Sequence, residues 1–422
     1  MGPCTSGDVA DIRATRRPYL NCHATAATDA TVCRPTTSLL APFASLRAIA
    51  IQTVRRIRRL ADCSALSLAL PLDAIALPPP GIAPPSPPAY TTAMRDHVGR
   101  GTAPAKAILL GEHAVVYGWP AIAVPLPQMR AKAEARFDAR SEGVSVEAAA
   151  RFHGVSRQRD PEQPLVRAAL LALQAVSATP SHVTVRVEST IPIAAGLGSG
   201  AAVSTAIMRA VADLFGTPIP ESELSALVYE VEKIHHGTPS GIDNTVVVYG
   251  RPVYFRKGLA PRFLASAAPL TLLVADTGVA SATREAVSAV RQARERDPEA
   301  VDACMTHIGD LAEGGRAAIE AGDVPRLGRL MNEDQAALAA LGVSTAELDA
   351  LVRAALDAGA LGAKLTGAGR GGHAIALTAV DTAGPVATAL SAAGAKRVTA
   401  CRIEAGNGPD VVPHPHSSLG RV

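Results

Sequence analysis

Aromatic side chains are nearly missing from this 422-residue chain: Phe, Tyr and Trp make up 3% of it, so any core must be built from Ala, Val, Leu and Ile. Long hydrophobic runs are missing as well. No stretch of about 18 uncharged apolar residues occurs in the body of the chain, which argues against a membrane span. The six cysteines (Cys4, Cys22, Cys33, Cys63, Cys304 and Cys401) include no Cys-x-x-Cys pair, and the chain reads as cytoplasmic and free of disulfides. No basic stripe with interleaved aromatics is present, so a nucleic-acid partner is not expected. Lysine is rare too. Only six of the 41 basic residues are lysines, so one placed in an apolar segment suggests a compact charge put there for a purpose.

The scarcity is uneven along the chain. The first 93 residues lack Lys and Glu altogether and carry nine Arg and five Asp, so the overall net charge of +3 originates in them. They end in a proline-rich tract, Leu77-Pro78-Pro79-Pro80 through Pro84-Pro85-Ser86-Pro87-Pro88, that suits an extended linker. Met94 follows at once. Residues 1–93 are read as an organelle transit peptide with a basic amphipathic helix around Val54–Leu60, as a disordered tail, or as text upstream of a true start at Met94; the last two are preferred. A chain beginning at Met94 is then expected to fold and act as the full chain does. The rest is long enough for two domains, at 94–264 and 265–405, with a flexible tail at 406–422.

What is present in abundance is glycine at strand-to-helix turns. The stretch Ile191-Pro192-Ile193-Ala194-Ala195-Gly196-Leu197-Gly198-Ser199-Gly200-Ala201-Ala202 follows the alternating run Val183–Val187 and opens a helical pattern through Ala201, Val203, Ile207, Ala210, Val211 and Leu214. Glycines at such a turn let backbone N–H groups approach an anion at the positive end of a helix. The stretch has no Walker Lys-Ser/Thr and fits the dinucleotide fingerprint poorly, so a plain tight turn is the competing reading.

Two further segments carry chemistry. In Lys106-Ala107-Ile108-Leu109-Leu110-Gly111-Glu112-His113-Ala114-Val115-Val116-Tyr117-Gly118, a buried strand breaks at Gly111 and resumes over Ala114–Tyr117. Glu112-His113 is either functional or a polar turn between strands. In Glu232-Lys233-Ile234-His235-His236-Gly237-Thr238-Pro239-Ser240-Gly241-Ile242-Asp243-Asn244, an amphipathic helix over Glu221–His236 stops and Asp243 follows among apolar residues. A carboxylate there is paired, catalytic, or an ordinary cap or turn aspartate. Adjacent histidines without a third ligand make zinc improbable.

Together the three segments resemble the GHMP small-molecule kinases, and within them the mevalonate kinases, over residues 104 to 405. A galactokinase-like chain would follow Gly-Glu-His with Thr-Asp-Tyr, where this one has Ala114-Val115-Val116. The resemblance implies an α+β, two-domain fold: a ribosomal-protein-S5-like N-terminal domain that binds ATP and a ferredoxin-like C-terminal domain. It implies ATP and Mg²⁺ as cofactors and transfer of a phosphoryl group to the 5-hydroxyl of (R)-mevalonate, on the route to isopentenyl diphosphate. Asp243 would be the catalytic base, or at least the charge that orients the substrate's primary hydroxyl, with Lys106 against it. Glu232 and Ser199 would hold Mg²⁺, and Ala194, Ala195, Gly196, Leu197, Gly198, Ser199, Gly200 and Ala201 would wrap the phosphates. Lys106, His113, Asp243 and Thr283 would meet mevalonate. A small-molecule substrate and a homodimer complete the expectation.

One position departs from the family: its second serine after Gly-Leu-Gly is here Gly200, which leaves Ser199 or water to serve the metal. The stretch Gly362-Ala363-Lys364-Leu365-Thr366-Gly367-Ala368-Gly369-Arg370-Gly371-Gly372-His373 resembles the family's third motif, which implies a glycine-rich turn between two antiparallel strands. Gly367 and Gly369 in it are assigned to phosphate, while a flexible hairpin is the competing reading. Arg370 either reaches a phosphate or is a solvated loop arginine. Two rival functions stand beside the main one. Phosphomevalonate kinase would call for more Arg or Lys in the pocket than Lys106 alone, and a metabolite sensor on a dead scaffold has only Gly200 in its favour.

Overall fold

The computed structural model describes residues 97–406 except 139–140, 142, 151–153, 180–181, 194–195, 237–238 and 282. The expected extension at 1–93, the tail beyond Gly406 and the phosphate-loop residues Ala194 and Ala195 lie outside the described residues.

Alternation of small apolar and polar residues builds a seven-stranded sheet from β1 (Gly99–Leu110), β2 (Ala121–Phe137), β3 (Val144–Ala150), β4 (Gly154–Gln158), β5 (Val183–Ser189), β6 (Val253–Phe255) and β7 (Arg262–Phe263). Its order is β4-β3-β5-β2-β6-β7, with β1 antiparallel on β2. The β3–β5 pair is parallel, joined through β4 and helix α1 (Pro164–Ala175), whose Pro164 sits in its first turn, where its missing N–H costs nothing.

Helix α2 (Ser199–Leu214) buries Ala202, Ala206, Ile207, Met208 and Ala210 completely. Its small residues bring it onto β1, where a Cβ on Gly101 would sit 2.0 Å from the Ala206 carbonyl oxygen. That proximity is how a core almost without aromatics still closes: backbone approaches backbone, and Leu109, Leu110 and Ile122 fill the rest. Each buried Leu or Ile contributes about 1.5–3 kcal/mol. Helices α3 (Glu221–His236) and α4 (Ile242–Tyr249) follow.

The chain then forms β8 (Leu270–Asp276), helices α5 (Thr283–Arg296), α6 (Pro298–Ala321), α7 (Val324–Ala340) and α8 (Ala346–Asp357), strands β9 (Gly362–Thr366) and β10 (His373–Thr378), α9 (Ala383–Ala392) and β11 (Arg397–Ile403). A four-stranded antiparallel sheet of order β11-β8-β10-β9 carries these helices, in keeping with the ferredoxin-like expectation. Asp297, Asp323 and Thr345 cap α6, α7 and α8 with side-chain oxygens. The largest apolar cluster is continuous between the sheets, running from Ala103 and Leu126 to Leu272, Cys401 and Ile403.

One local expectation is overturned. Ala114–Tyr117 is a short 3-10 turn and not a resumed strand. Gly111 (φ 104°) and His113 (φ 61°) turn the chain sharply, and Ala114 and Val115 are buried against the two sheets' clusters without any ladder partner to extend. Four apolar residues in a row fit either structure, so the pattern could not decide.

Candidate active site

Strand β1 fixes the first functional side chain. The Lys106 backbone N–H donates to the Leu197 carbonyl at 3.1 Å, so the glycine loop that begins α2 is pinned to β1. Gly198 precedes α2 in the left-handed region (φ 68°), and a Cβ there would lie 2.8 Å from Lys106 Cγ. Glycine is required twice over, by conformation and by space. The Lys106 stem therefore runs beneath the loop and its ammonium emerges at Asp243.

That ammonium meets Asp243 Oδ1 at 3.0 Å, with the lysine side chain 4% exposed and the aspartate 28%. Asp243 is in the first turn of α4, where its negative charge suits the helix N-terminus. The sequence left cap, turn and catalysis open for this residue; the structure gives no side-chain cap bond at this helix and pairs Asp243 with Lys106. Helix α3 delivers Glu232, which is buried, to the same place. Burial pushes its carboxyl up to about 8; the nearby Asp243 charge adds to the rise and Lys106 opposes it. A divalent cation there would return Glu232 to its charged form.

Among the described residues no group of three or more His, Cys, Asp or Glu side chains forms a self-sufficient metal cage. A buried carboxylate beside a glycine loop at a helix N-terminus, with Ser199 at the start of α2, fits instead an ion that shares its ligands with a bound phosphate group, as Mg²⁺ prefers.

These groups line a cleft of about 1040 Å³, together with Gly196, Gly198, Ser199, Gly200, His113, Thr283, Gly367 and Ala368. The two glycine-rich motifs meet here back to back: a Cβ on Gly367 would come within 2.9 Å of Gly196 Cα. The hairpin at 362–373 thus closes on the phosphate loop and is not a free flap. Leu197, Ala201 and Gly369 stand outside the cleft lining among the described residues. Leu197 and Ala201 are buried in the core, and Gly369 abuts Val343, where a Cβ would meet the carbonyl oxygen at 2.2 Å. Arg370 is exposed, with its N–H bonded to the Val343 carbonyl at 2.8 Å, and it does not line the cleft.

His113 is buried and its Nε2 donates to the Ala368 carbonyl at 3.0 Å. Burial lowers its pKa to about 4, the carbonyl opposing and the Lys364 charge adding, so at neutral pH the ring is uncharged. With the proton on Nε2, Nδ1 is left as an acceptor for a hydroxyl.

Its neighbour Glu112 is not the exposed polar turn residue that the bland reading supposed. It is 1% exposed and ion-paired to Lys364 of β9, which also reaches Asp334 Oδ2 of α7 at 3.4 Å and the Leu365 carbonyl at 2.7 Å. Two carboxylates share one ammonium. Burial drives both acids above the usual carboxylate range while Lys364 pulls them back, so the cluster holds a proton near neutrality.

Sequence reasoning missed Lys364 and Asp334, and it missed Lys396 and Arg397, which enter the cleft wall from the start of β11 beside Thr283. The premise that Lys106 is the lone cation near the motifs is thereby corrected. A signal was available: lysine is rare, and of the six, Lys106, Lys364 and Lys396 are all in or against this site.

Residues 164–251 match the family described as GHMP kinases N terminal domain, and residues 316–396 match GHMP kinases C terminal. A mevalonate kinase of Thermococcus sibiricus is 39% identical over 312 residues, spanning 69% of this chain and 92% of that protein. A mevalonate kinase of Pyrococcus horikoshii is 37% identical over 312 residues, with the same shares. The crystal structure of L. major mevalonate kinase in complex with R-mevalonate aligns with a TM-score of 0.65 at 26% identity, over 74% of this chain and 97% of that one.

Proposed function

We propose a division of labour within the cleft of this chain, which belongs to the GHMP kinase family and, within it, to the mevalonate kinases. The chain is an ATP-dependent phosphotransferase that phosphorylates mevalonate to 5-phosphomevalonate, leaving ADP. The observation that carries the residue assignment is the Lys106–Asp243 pair, its lysine buried beneath the glycine loop and its half-buried aspartate opening into the cleft.

Asp243 is the group that takes the proton of the attacking 5-hydroxyl. Lys106 keeps that carboxylate ionised and offsets negative charge on the phosphoryl group in flight. The N–H groups at the start of α2 cradle the phosphates; Gly198 leaves room for the Lys106 stem beneath the loop, and Gly196 and Gly367 let the two glycine loops close on each other. Glu232 and Ser199 would be the chain's own ligands for Mg²⁺, which would supply positive charge to offset that of the nucleotide's phosphates. His113 accepts a substrate hydroxyl at Nδ1, and Thr283 supplies a second polar contact. Lys396 and Arg397 are the cations available to the carboxylate of mevalonate. Positioning and charge neutralisation, with no covalent intermediate, account for the rate.

The same reading puts the two domains on either side of residue 265, the chain in the cytoplasm, and two copies in a homodimer; no helix among the described residues is long and apolar enough to cross a membrane. ADP release, measured with mevalonate, phosphomevalonate, homoserine and galactose offered separately, tests the acceptor. Turnover on mevalonate alone, lost in Asp243→Asn, is the expected outcome; equal turnover on phosphomevalonate would reassign Lys396 and Arg397 to a substrate phosphate.

A further inference from the structure

A second cavity, of about 740 Å³, opens where the end of α4, the middle of β1 and β2, and the end of β11 come together. Among the described residues it shares no lining side chain with the catalytic cleft. Four arginines line it, Arg130, Arg209, Arg251 and Arg402, against a single carboxylate, Glu404. Like charges gathered around a partly desolvated cavity repel one another unless an anion stands among them.

The cavity is built and not incidental. Strands β1 and β2 slip register between Pro104 and Ala105, whose partners are Arg130 and Leu126, so residues 127–129 bulge out of the ladder and Pro127 of the bulge lines the cavity. Gln128 of that bulge accepts the Arg402 N–H at 3.2 Å, which joins the two sheets at this point. Arg209 is held by two carbonyls, Thr102 at 2.8 Å and Val248 at 2.7 Å, so its charge is fixed in place. Burial lowers the pKa of its guanidinium; Glu221 counteracts this and the Arg130 charge reinforces it. Arg130 and Arg402 are exposed and commit Nε, to the Pro127 carbonyl at 2.6 Å and to Glu404 at 2.9 Å. Among the described residues their terminal amino groups have no hydrogen-bond acceptor.

We propose that this cavity is a binding site for a small, multiply charged phosphoryl anion, gripped by the forked amino groups of Arg130 and Arg402 with Arg209 as a fixed charge beside them. Occupancy is coupled to catalysis through two elements. Helix α4 starts at the turn that carries Asp243 and ends in this cavity at Val248 and Tyr249; β1 leads from Thr102 and Pro104 in the cavity to Lys106. The coupling, unlike the binding, rests on the roles given above to Lys106 and Asp243.

Calorimetric titration of the full chain with pyrophosphate reads the site directly, provided a non-hydrolysable ATP analogue and mevalonate already fill the catalytic cleft. One saturable site is expected, weakened at least about tenfold in Arg130→Gln/Arg402→Gln by loss of charge-assisted hydrogen bonds. Absence of saturable binding, or equal binding by the double variant, overturns the proposal. Tighter binding of citrate than of pyrophosphate overturns the phosphoryl assignment. Circular dichroism and melting of the double variant check its fold, and single Arg130→Gln provides the same comparison if the double variant melts early. Turnover at saturating ATP and fixed free Mg²⁺ tests the coupling: a change with pyrophosphate in the wild type that vanishes in the double variant supports it, and binding without any change in turnover refutes it.

Discussion

Asp243 and Lys106 form the pair whose separation has the plainest chemical consequence. Replacing Asp243 by Asn keeps the shape and removes the proton acceptor, so turnover should fall by about 10²–10⁴-fold while nucleotide binding persists. Single-turnover kinetics beside nucleotide titration separates the two; an unaffected chemical step would remove Asp243 from its role. Glu232 makes a prediction about pH. Its folded-state pKa, about 8, lies above the ordinary value of 4.5, so the nucleotide-free fold favours its protonated form. The contribution of this group to stability is full below about pH 4.5 and is lost as pH rises through about 8. Glu232→Gln should therefore raise Tm relative to the wild type more near about pH 8.5 than near about pH 5. Melting curves across that range check it, and a pH-independent difference would show that the carboxyl is not desolvated in solution.

At the scale of elements, the cleft depends on how closely the start of α2 can lie over β1. A Cβ at Gly198 would meet Lys106 Cγ at 2.8 Å and force a left-handed backbone on a residue that resists it, at a cost of about 1–2 kcal/mol. Gly198→Ala should therefore melt earlier, and its kcat should fall beyond what partial unfolding explains, because Lys106 is pushed off Asp243. Normal kcat in the folded fraction would show that the loop tolerates the methyl. The contact between Gly196 and Gly367 has the same logic across the two motifs: neither loop can carry a side chain there without parting from the other.

For the molecule as a whole, the Glu112–Lys364–Asp334 cluster is the joint. It ties the turn after β1 to α7 and β9, and beside it Thr366 Oγ1 donates to the Ile108 carbonyl at 3.1 Å and accepts from the Ile108 N–H at 3.0 Å. Lys364→Met leaves two buried acids that share one negative charge without their cation and should cost about 3–5 kcal/mol, since breaking a buried ion cluster from one side strands the remaining charge. Neutralising the acids as well, in Glu112→Gln/Asp334→Asn/Lys364→Met, should recover part of the loss. Urea denaturation of both variants checks the pair of outcomes; no recovery in the triple variant would mean that shape, and not charge, holds the joint.

The sequence by itself determined most of the secondary structure and the family. Periods of two and near 3.6, broken by glycine and proline, marked β5, α2 and α3 close to their observed ends, because those patterns reflect which face each element must bury. It also marked Lys106 and Asp243, each an ionisable group in an apolar setting, where charge is costly without a purpose, while Glu232 was marked by the family resemblance. Contacts between segments remote in the chain were decided only by the tertiary structure. Lys364 lies 252 residues from Glu112, and no periodicity links them; Lys396 and Arg397 reach the cleft because β11 pairs with β8; and the four arginines of the second cavity come from different elements. Local pattern records which face of an element is buried. Which charges that burial brings together is fixed by the packing of sheet against sheet, and the rarity of lysine is the sequence's hint of it.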